Sequence, residues 1–390
     1  MTENVAERYV RLGLRLGRHD DGVVDAYFGP PELKAAIDAE PLSAPRELVS
    51  SAQALLEVLD ECWLRDQVMA LRTYAGVLAG EARGYADEVE GCYGVRPRHT
   101  DETHFIDAHV QLAELLPGTG TLAERYERWQ QSIMVPPERI ETLFADVIAE
   151  ARAWTSDLIE LPDGEGIDLE VVHDKPWLGF LEYAGDLRGT VYINVDMPKS
   201  VMELLHLALH ETYPGHQAER VAKEHLLVDR GALLEESIVM VASPQSLITE
   251  GIAEVAPHLV LNSEAGPAFA RVVHDAGIPF DLEHAIAVEA AFQPCRWAEV
   301  NGALMLHEMG AHEAEVHAYL QRWGLMTPKL ADHLIRFYKD PASRTYIVAY
   351  PTGLALCSAY VAGDRERFRQ LLTSQIRIQD LRPSTGAPEN

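Results

Sequence analysis

The chain has 390 residues, 47% of them hydrophobic and 24% charged, with a formal net charge of −28 at pH 7. This is an ordinary globular balance on a length that supports a large buried core. The acidic excess excludes the clustered Lys and Arg surface that a nucleic acid requires, and no run approaches the ~20 apolar residues that span a bilayer. Neither a nucleic acid nor a membrane is therefore expected as a partner, and the oligomeric state is left open.

The opening "MTENVAERYVRLGLRLGRHD" lacks the apolar core of a signal peptide. Cys62, Cys92, Cys295 and Cys357 are far apart, without a C-x-x-C pair. Both features fit reduced thiols and a cytoplasmic location. Tyr9, Leu12, Leu14 and Leu16 begin an amphipathic helix that stops before "GRHDDG", and "YFGPPELKAAIDAE" is a turn and a helix with tandem prolines at its start. "PRELVSSAQALLEVLD" and "CWLRDQVMALRTYAGVLAG" repeat apolar residues at three- and four-residue spacing. "HTDETHFIDAHVQLAELLPGTG" opens on a capping-type Thr-Asp-Glu, and two more helices follow in "LAERYERWQQSIMV" and "PPERIETLFADVIAEARAWTSDLI".

The texture then changes. "IDLEVV", "GFLEYA" and "TVYINV" alternate β-branched and aromatic residues between Gly- and Asp-rich turns, which predicts three short strands. From Val201 the pattern is helical again to the end. The expected architecture is mainly α, with a small β-sheet preceding a metal-site helix. Residues 1–165 form an N-terminal helical region and residues 166–390 a catalytic region, the two making one compact unit. An edge strand beside such a helix can hold an extended peptide by backbone hydrogen bonds.

The chemistry concentrates in "LHLALHETYPGHQAER". His210 and Glu211 begin the H-E-x-x-H pattern of zinc peptidases, but Pro214 stands where the second His belongs, and the next His is His216. Six residues apart on a straight helix, two side chains differ by about 9 Å in rise and about 120° in direction, too far to share an ion. Pro214 and Gly215 break the helix, and a chain that turns there can bring His216 back to His210. Glu250, in "SLITEGIAEVAPHLV", supplies the carboxylate of a His-His-Glu zinc site; Gly251 beside it leaves room for close packing on the His-Glu helix, and Glu254 follows one turn later. Glu211 is placed as general base on the water that one Zn2+ ion would activate.

"HETYPGHQ" followed by "ITEGIAE" resembles the bacterial family called domain of unknown function 885, whose hallmark is H-E-x-x-P-G-H-H and a later E-G helix. The resemblance extends to "YVRLGLRLGRHDDGVVDAYFGPPEL" and "RTYIVAYPTGLAL". The family is similar to helical metallopeptidases that use two His and a Glu. It therefore implies a large helical body and a zinc-dependent peptidase acting on small peptides, of carboxypeptidase, dipeptidase or oligopeptidase type. Two departures stand out: the family's second His is Gln217 here, and an extra His206 lies four residues before His210. Gln217 keeps open a catalytically silent metal- or peptide-binding relative, and hydrolysis of a non-peptide amide or ester is a further alternative.

Other candidates carry two readings each. Tyr350 is an oxyanion donor or, like Tyr346, a core aromatic. Arg296 binds a substrate carboxylate or pairs with a structural acid, and Asn194 bonds a peptide backbone from its strand or faces a turn. His307, Glu308 and His312 make an H-E-x-x-x-H pattern, yet Gly310 interrupts it and "AHEAEVHAYL" reads as a fresh helix start; His307 is the better candidate for a helper in a pocket.

Overall fold

The computed structural model describes residues 4–20, 22–175, 177–341 and 343–382. It is mainly α-helical, with two small sheets. The first helix, Val5–Gly17, buries Tyr9, Leu12, Leu14 and Leu16. Helix Glu102–Leu115 starts where the polar cluster predicts, with Asp101 accepting the Thr103 N–H at 2.9 Å. Helix Ile140–Ser156 closes this part and packs on Val201–Glu211.

Five strands are present among the described residues: β1 (Val24–Tyr27), β2 (Gly166–Val172), β3 (Gly179–Gly185), β4 (Arg188–Asn194) and β5 (Ile238–Met240). The three predicted strands form one sheet in the order β2-β4-β3, with β2 parallel and β3 antiparallel to β4. β3 and β4 are joined through Asp186 and Leu187, both at positive φ (54° and 63°). Glu224 holds this turn by accepting both amide N–H groups, at 2.9 and 3.2 Å. β3 is left at an edge, beside the helix Val201–Glu211. The second sheet, β1 against β5, is absent from the sequence reading. Its strands are too short to show periodicity, and they pair across most of the chain.

One buried apolar cluster runs from Tyr9 to Leu381 and takes side chains from both sides of residue 165, among them Trp154, Ile159, Val191, Ile193 and Leu204. All four cysteines are free thiols. Among the described residues no helix is long and apolar enough to cross a membrane.

Helices Pro244–Leu261 and Ala349–Val361 cross backbone to backbone at Gly251 and Gly353. A Cβ on Gly251 would lie 2.5 Å from both the Gly353 oxygen and Cys357 Sγ, and one on Gly353 would lie 2.5 Å from the Leu247 oxygen. This corrects the expectation that Gly251 packs on the His-Glu helix: the small residue serves a different partner, and that partner brings Tyr346 and Tyr350 to Glu250. Glycine-to-alanine changes in a helix ordinarily stabilise by about 0.5–1 kcal/mol. Here Gly251→Ala and Gly353→Ala should each destabilise by about 1–3 kcal/mol, because a packed crossing has no room to spare. Urea denaturation checks this as a lowered midpoint at unchanged slope.

Candidate metal centre

Ser200 starts the helix Val201–Glu211 through a capping box: its hydroxyl accepts the Glu203 N–H at 3.2 Å, and the Glu203 carboxylate accepts the Ser200 N–H at 2.7 Å. Leu204, Leu205, Ala208 and Leu209 bury one side. The helix stops at Thr212, whose hydroxyl donates to the Ala208 carbonyl at 2.6 Å. A cis Tyr213–Pro214 bond and Gly215 follow, and a new helix begins at His216 and runs to Lys223. The chain thus folds back over the end of the first helix. A Cβ at Gly215 would fall onto the His210 carbonyl oxygen and lie 2.5 Å from that of Leu209, so glycine is required. The His210 and His216 rings meet with centroids 4.7 Å apart at 87°.

Glu250 completes the group. Its Oε2 lies 3.4 Å from His210 Nε2, and its Oε1 lies 3.5 Å from His216 Nε2. One donor atom from each of these three residues falls within 4.8 Å of the others. His210 Nδ1, His216 Nδ1 and Glu250 Oε2 are buried without a hydrogen-bond partner, which is costly unless something else satisfies the site. Two imidazoles and a carboxylate are the donor set of a catalytic zinc site, and the residues fit such an ion.

A second group, His206, His210 and Glu254, also satisfies the spacing of a metal site. Charge separates the two. Glu254 is already neutralised by a two-pronged ion pair with Arg296, which holds its carboxyl well below the usual range against the effect of burial. Among the described residues Glu250 pairs with no Lys or Arg; it accepts the Tyr346 hydroxyl at 2.6 Å and otherwise faces the two imidazoles. Glu254 Oε1 sits 3.9 Å from His210 Nδ1 and 3.7 Å from His206 Nε2, where a carboxylate can orient a metal-ligating His. Burial would lower His210, but contact with Glu250 and the charges of Glu211 and Glu254 raise it to about 9. Burial lowers His216 to about 4.

Glu211 projects into a cavity of about 220 Å³ that His210, His216, Glu250, Tyr346 and Tyr350 also line. Its Oε2 accepts the edge-strand N–H of Leu181 at 3.0 Å. Burial pushes its carboxyl up to about 7, against the opposing pull of His210. Tyr350 stacks edge-on against Tyr346 with centroids 5.4 Å apart.

Several candidates go elsewhere. Asn194 is not a substrate contact: its side-chain amide is spent on the Lys175 and Trp177 carbonyls (2.9 and 3.1 Å) and the Asp196 N–H (3.1 Å). Arg296 takes the structural-acid reading, with both prongs on Glu254. Gln217 is fully buried and donates to the Gly166 carbonyl at 3.0 Å. It points at the sheet, so the missing family His does not open the metal group. His307 stacks on Tyr85 and its Nε2 lies 2.8 Å from the Tyr338 carbonyl; Glu308 accepts the Ala86 N–H at 2.6 Å; His312 caps the helix Glu313–Trp323. None of these three lines the cavity. The sequence reading took Tyr346 for a core aromatic, whereas it bonds Glu250, and it did not single out Arg220 or Asp25 from β1, which line the cavity. Arg220 had a readable signal, since it falls four residues after His216 and so on the same helical face.

No family model matches the sequence, and neither does any curated protein. Solved structures do. A protein of Colwellia psychrerythraea provisionally named a lipoprotein aligns at TM-score 0.54 and 15% identity over 87% of the chain. A similarly named protein of unknown function from Shewanella oneidensis aligns at TM-score 0.54 and 13% identity over 90%. The chain spans 66% of each of these two structures, and at such identity the likeness is one of fold. A Pyrococcus furiosus carboxypeptidase covers 95% of the chain and 88% of its own length at 13% identity, but its TM-score of 0.42 is too low to show a shared fold.

Metal analysis after zinc loading and dialysis should find about one equivalent per chain. His210→Ala, His216→Ala and Glu250→Ala should each lose it, while His206→Ala should keep it. Arg296→Met, which frees Glu254, should weaken metal affinity about 10- to 100-fold.

Proposed function

We propose that the chain is a zinc-dependent hydrolase of peptide bonds in short peptides, and a member of the family that its H-E-x-x-P-G-H motif resembles. The observation that carries this reading is the convergence of His210, His216 and Glu250 donors within 4.8 Å in a cavity that Glu211 also lines. A zinc ion held there supplies a Lewis acid that polarises a carbonyl and lowers the pKa of a water.

The chain's own residues divide the remaining work. Glu211 Oε2 is engaged by the Leu181 N–H, so Oε1 takes the proton of the attacking water and returns it to the leaving nitrogen. The Leu181 bond fixes the carboxylate plane, and burial keeps it poised to exchange a proton near neutral pH. Tyr350 donates its hydroxyl to the carbonyl oxygen as that oxygen gains charge. Tyr346 holds Glu250 through its hydroxyl. The edge of β3, apart from the Leu181 N–H that Glu211 takes, gives a substrate backbone its partner strand. At about 220 Å³ the cavity is smaller than the ~300–1,000 Å³ of sites for drug-sized ligands, which favours a short peptide segment over a folded protein. A cytoplasmic peptidase is the setting that fits four free thiols.

Incubating the zinc-loaded protein with a mixture of short peptides tests this directly by mass spectrometry. Glu211→Gln should keep its zinc and lose about 10²- to 10⁴-fold in kcat, and Tyr350→Phe about 10²- to 10³-fold. A zinc-loaded chain that leaves every peptide intact would sink the reading. Hydrolysis that survives Glu211→Gln would sink the mechanism.

A further inference from the structure

Three carboxylates and one guanidinium line the cavity together with its imidazoles, tyrosines and apolar residues. Asp25, Glu211 and Glu250 line it, and Arg220 is the one Lys or Arg among the lining residues. Arg220 stands on the helix His216–Lys223, one turn after His216 and about 6 Å further along the axis. Its side chain is 6% exposed, yet it makes one hydrogen bond, from Nη2 to Asp25 Oδ2 at 2.8 Å. Asp25 is itself 51% exposed, so the counter-ion sits half in water while the cation faces the enclosed space. A guanidinium carries five N–H donors in a flat fork that matches a carboxylate. One bond to Asp25 leaves donors of that fork for a further partner, and Arg220 lines the cavity. Burying a cation with so exposed an ion-pair partner is costly.

We propose that Arg220 anchors the free C-terminal carboxylate of a peptide, making the centre an exopeptidase site. This rests on the peptidase reading above and adds the end of the substrate that is held. One or two residues of extended peptide cover about 3.5–7 Å, the separation between His216 and Arg220 along their helix. The scissile carbonyl then lies at the His-His-Glu group, with the chain end at Arg220. The cavity's small volume suits a chain end more than a chain passing through. Asp25 holds one side of the guanidinium and leaves the other for the substrate.

The test uses one peptide sequence in two forms, with a free C-terminal carboxylate and with a C-terminal amide, plus an amidated peptide carrying Glu at its last position. Zinc-loaded wild type should show kcat/KM for the free acid about 10- to 150-fold above the amide, the worth of a charge-assisted hydrogen bond. Arg220→Gln should bring that ratio near one, Arg220→Lys should restore part of it, and Asp25→Asn, which removes the ion pair but keeps the fork, should retain it. Equal cleavage of acid and amide by wild type overturns the proposal, as does an equal loss on both in Arg220→Gln. If the amidated Glu peptide performs like the free acid, the assignment to a chain end is overturned. Calorimetric binding of the same peptides to zinc-loaded Glu211→Gln separates this idea from the hydrolase reading. A free-acid preference in binding that the added Arg220→Gln abolishes upholds the anchor even if nothing is hydrolysed, and its absence there overturns the anchor.

Discussion

The centre depends on a helix that ends immediately after its His210–Glu211 pair. Thr212 leaves the helical path, Gly215 lies against the carbonyl of His210, and the next helix starts on His216. On an unbroken helix the two imidazoles would diverge by about 120°; with the break they stand 4.7 Å apart. The two-residue excess over H-E-x-x-H and the helix breaker are one device. The same fold-back sends Gln217 toward β2 and leaves Arg220 on the side of His216.

Charge organises the surroundings of this group. Glu250 and Glu254 are one turn apart on a single helix, yet they face different partners. Arg296 neutralises Glu254 and fixes it near His210, while Glu250 is left with a neutral tyrosine hydroxyl. Two chemically identical side chains thereby divide into an orienting group and a donor short of a cation. The Gly251–Gly353 crossing sets this division in space, because it fixes how near Tyr346 and Tyr350 come to Glu250.

Much of the fold was legible in the residues. The three strands of the larger sheet follow from their alternation, and the helices from spacing and caps such as Asp101 and Ser200. The convergence of His210, His216 and Glu250 was legible from donor type and the Pro-Gly break. What escaped has a common cause. β1 with β5, the Gly251–Gly353 contact, and the Tyr346–Glu250 bond all join residues about a hundred or more positions apart, and local periodicity says nothing of such partners. Asn194 and Arg296 were misassigned or left open for a related reason. A polar side chain in an apolar run signals that it has a partner, without saying whether the partner is a substrate or the protein's own carbonyls and acids.

The cavity draws its lining from positions as far apart as Asp25 and Tyr350. β1 brings the first, and the helix that crosses at Gly353 brings the second. No contiguous half of the chain contains the whole site. A ribosome must therefore complete about nine-tenths of the polypeptide before both ends of the wall exist, and the helix bearing His210, Glu211 and the fold-back is made long before its tyrosines. A site assembled so late is complete only when nearly all of the chain that could reach it has already been made.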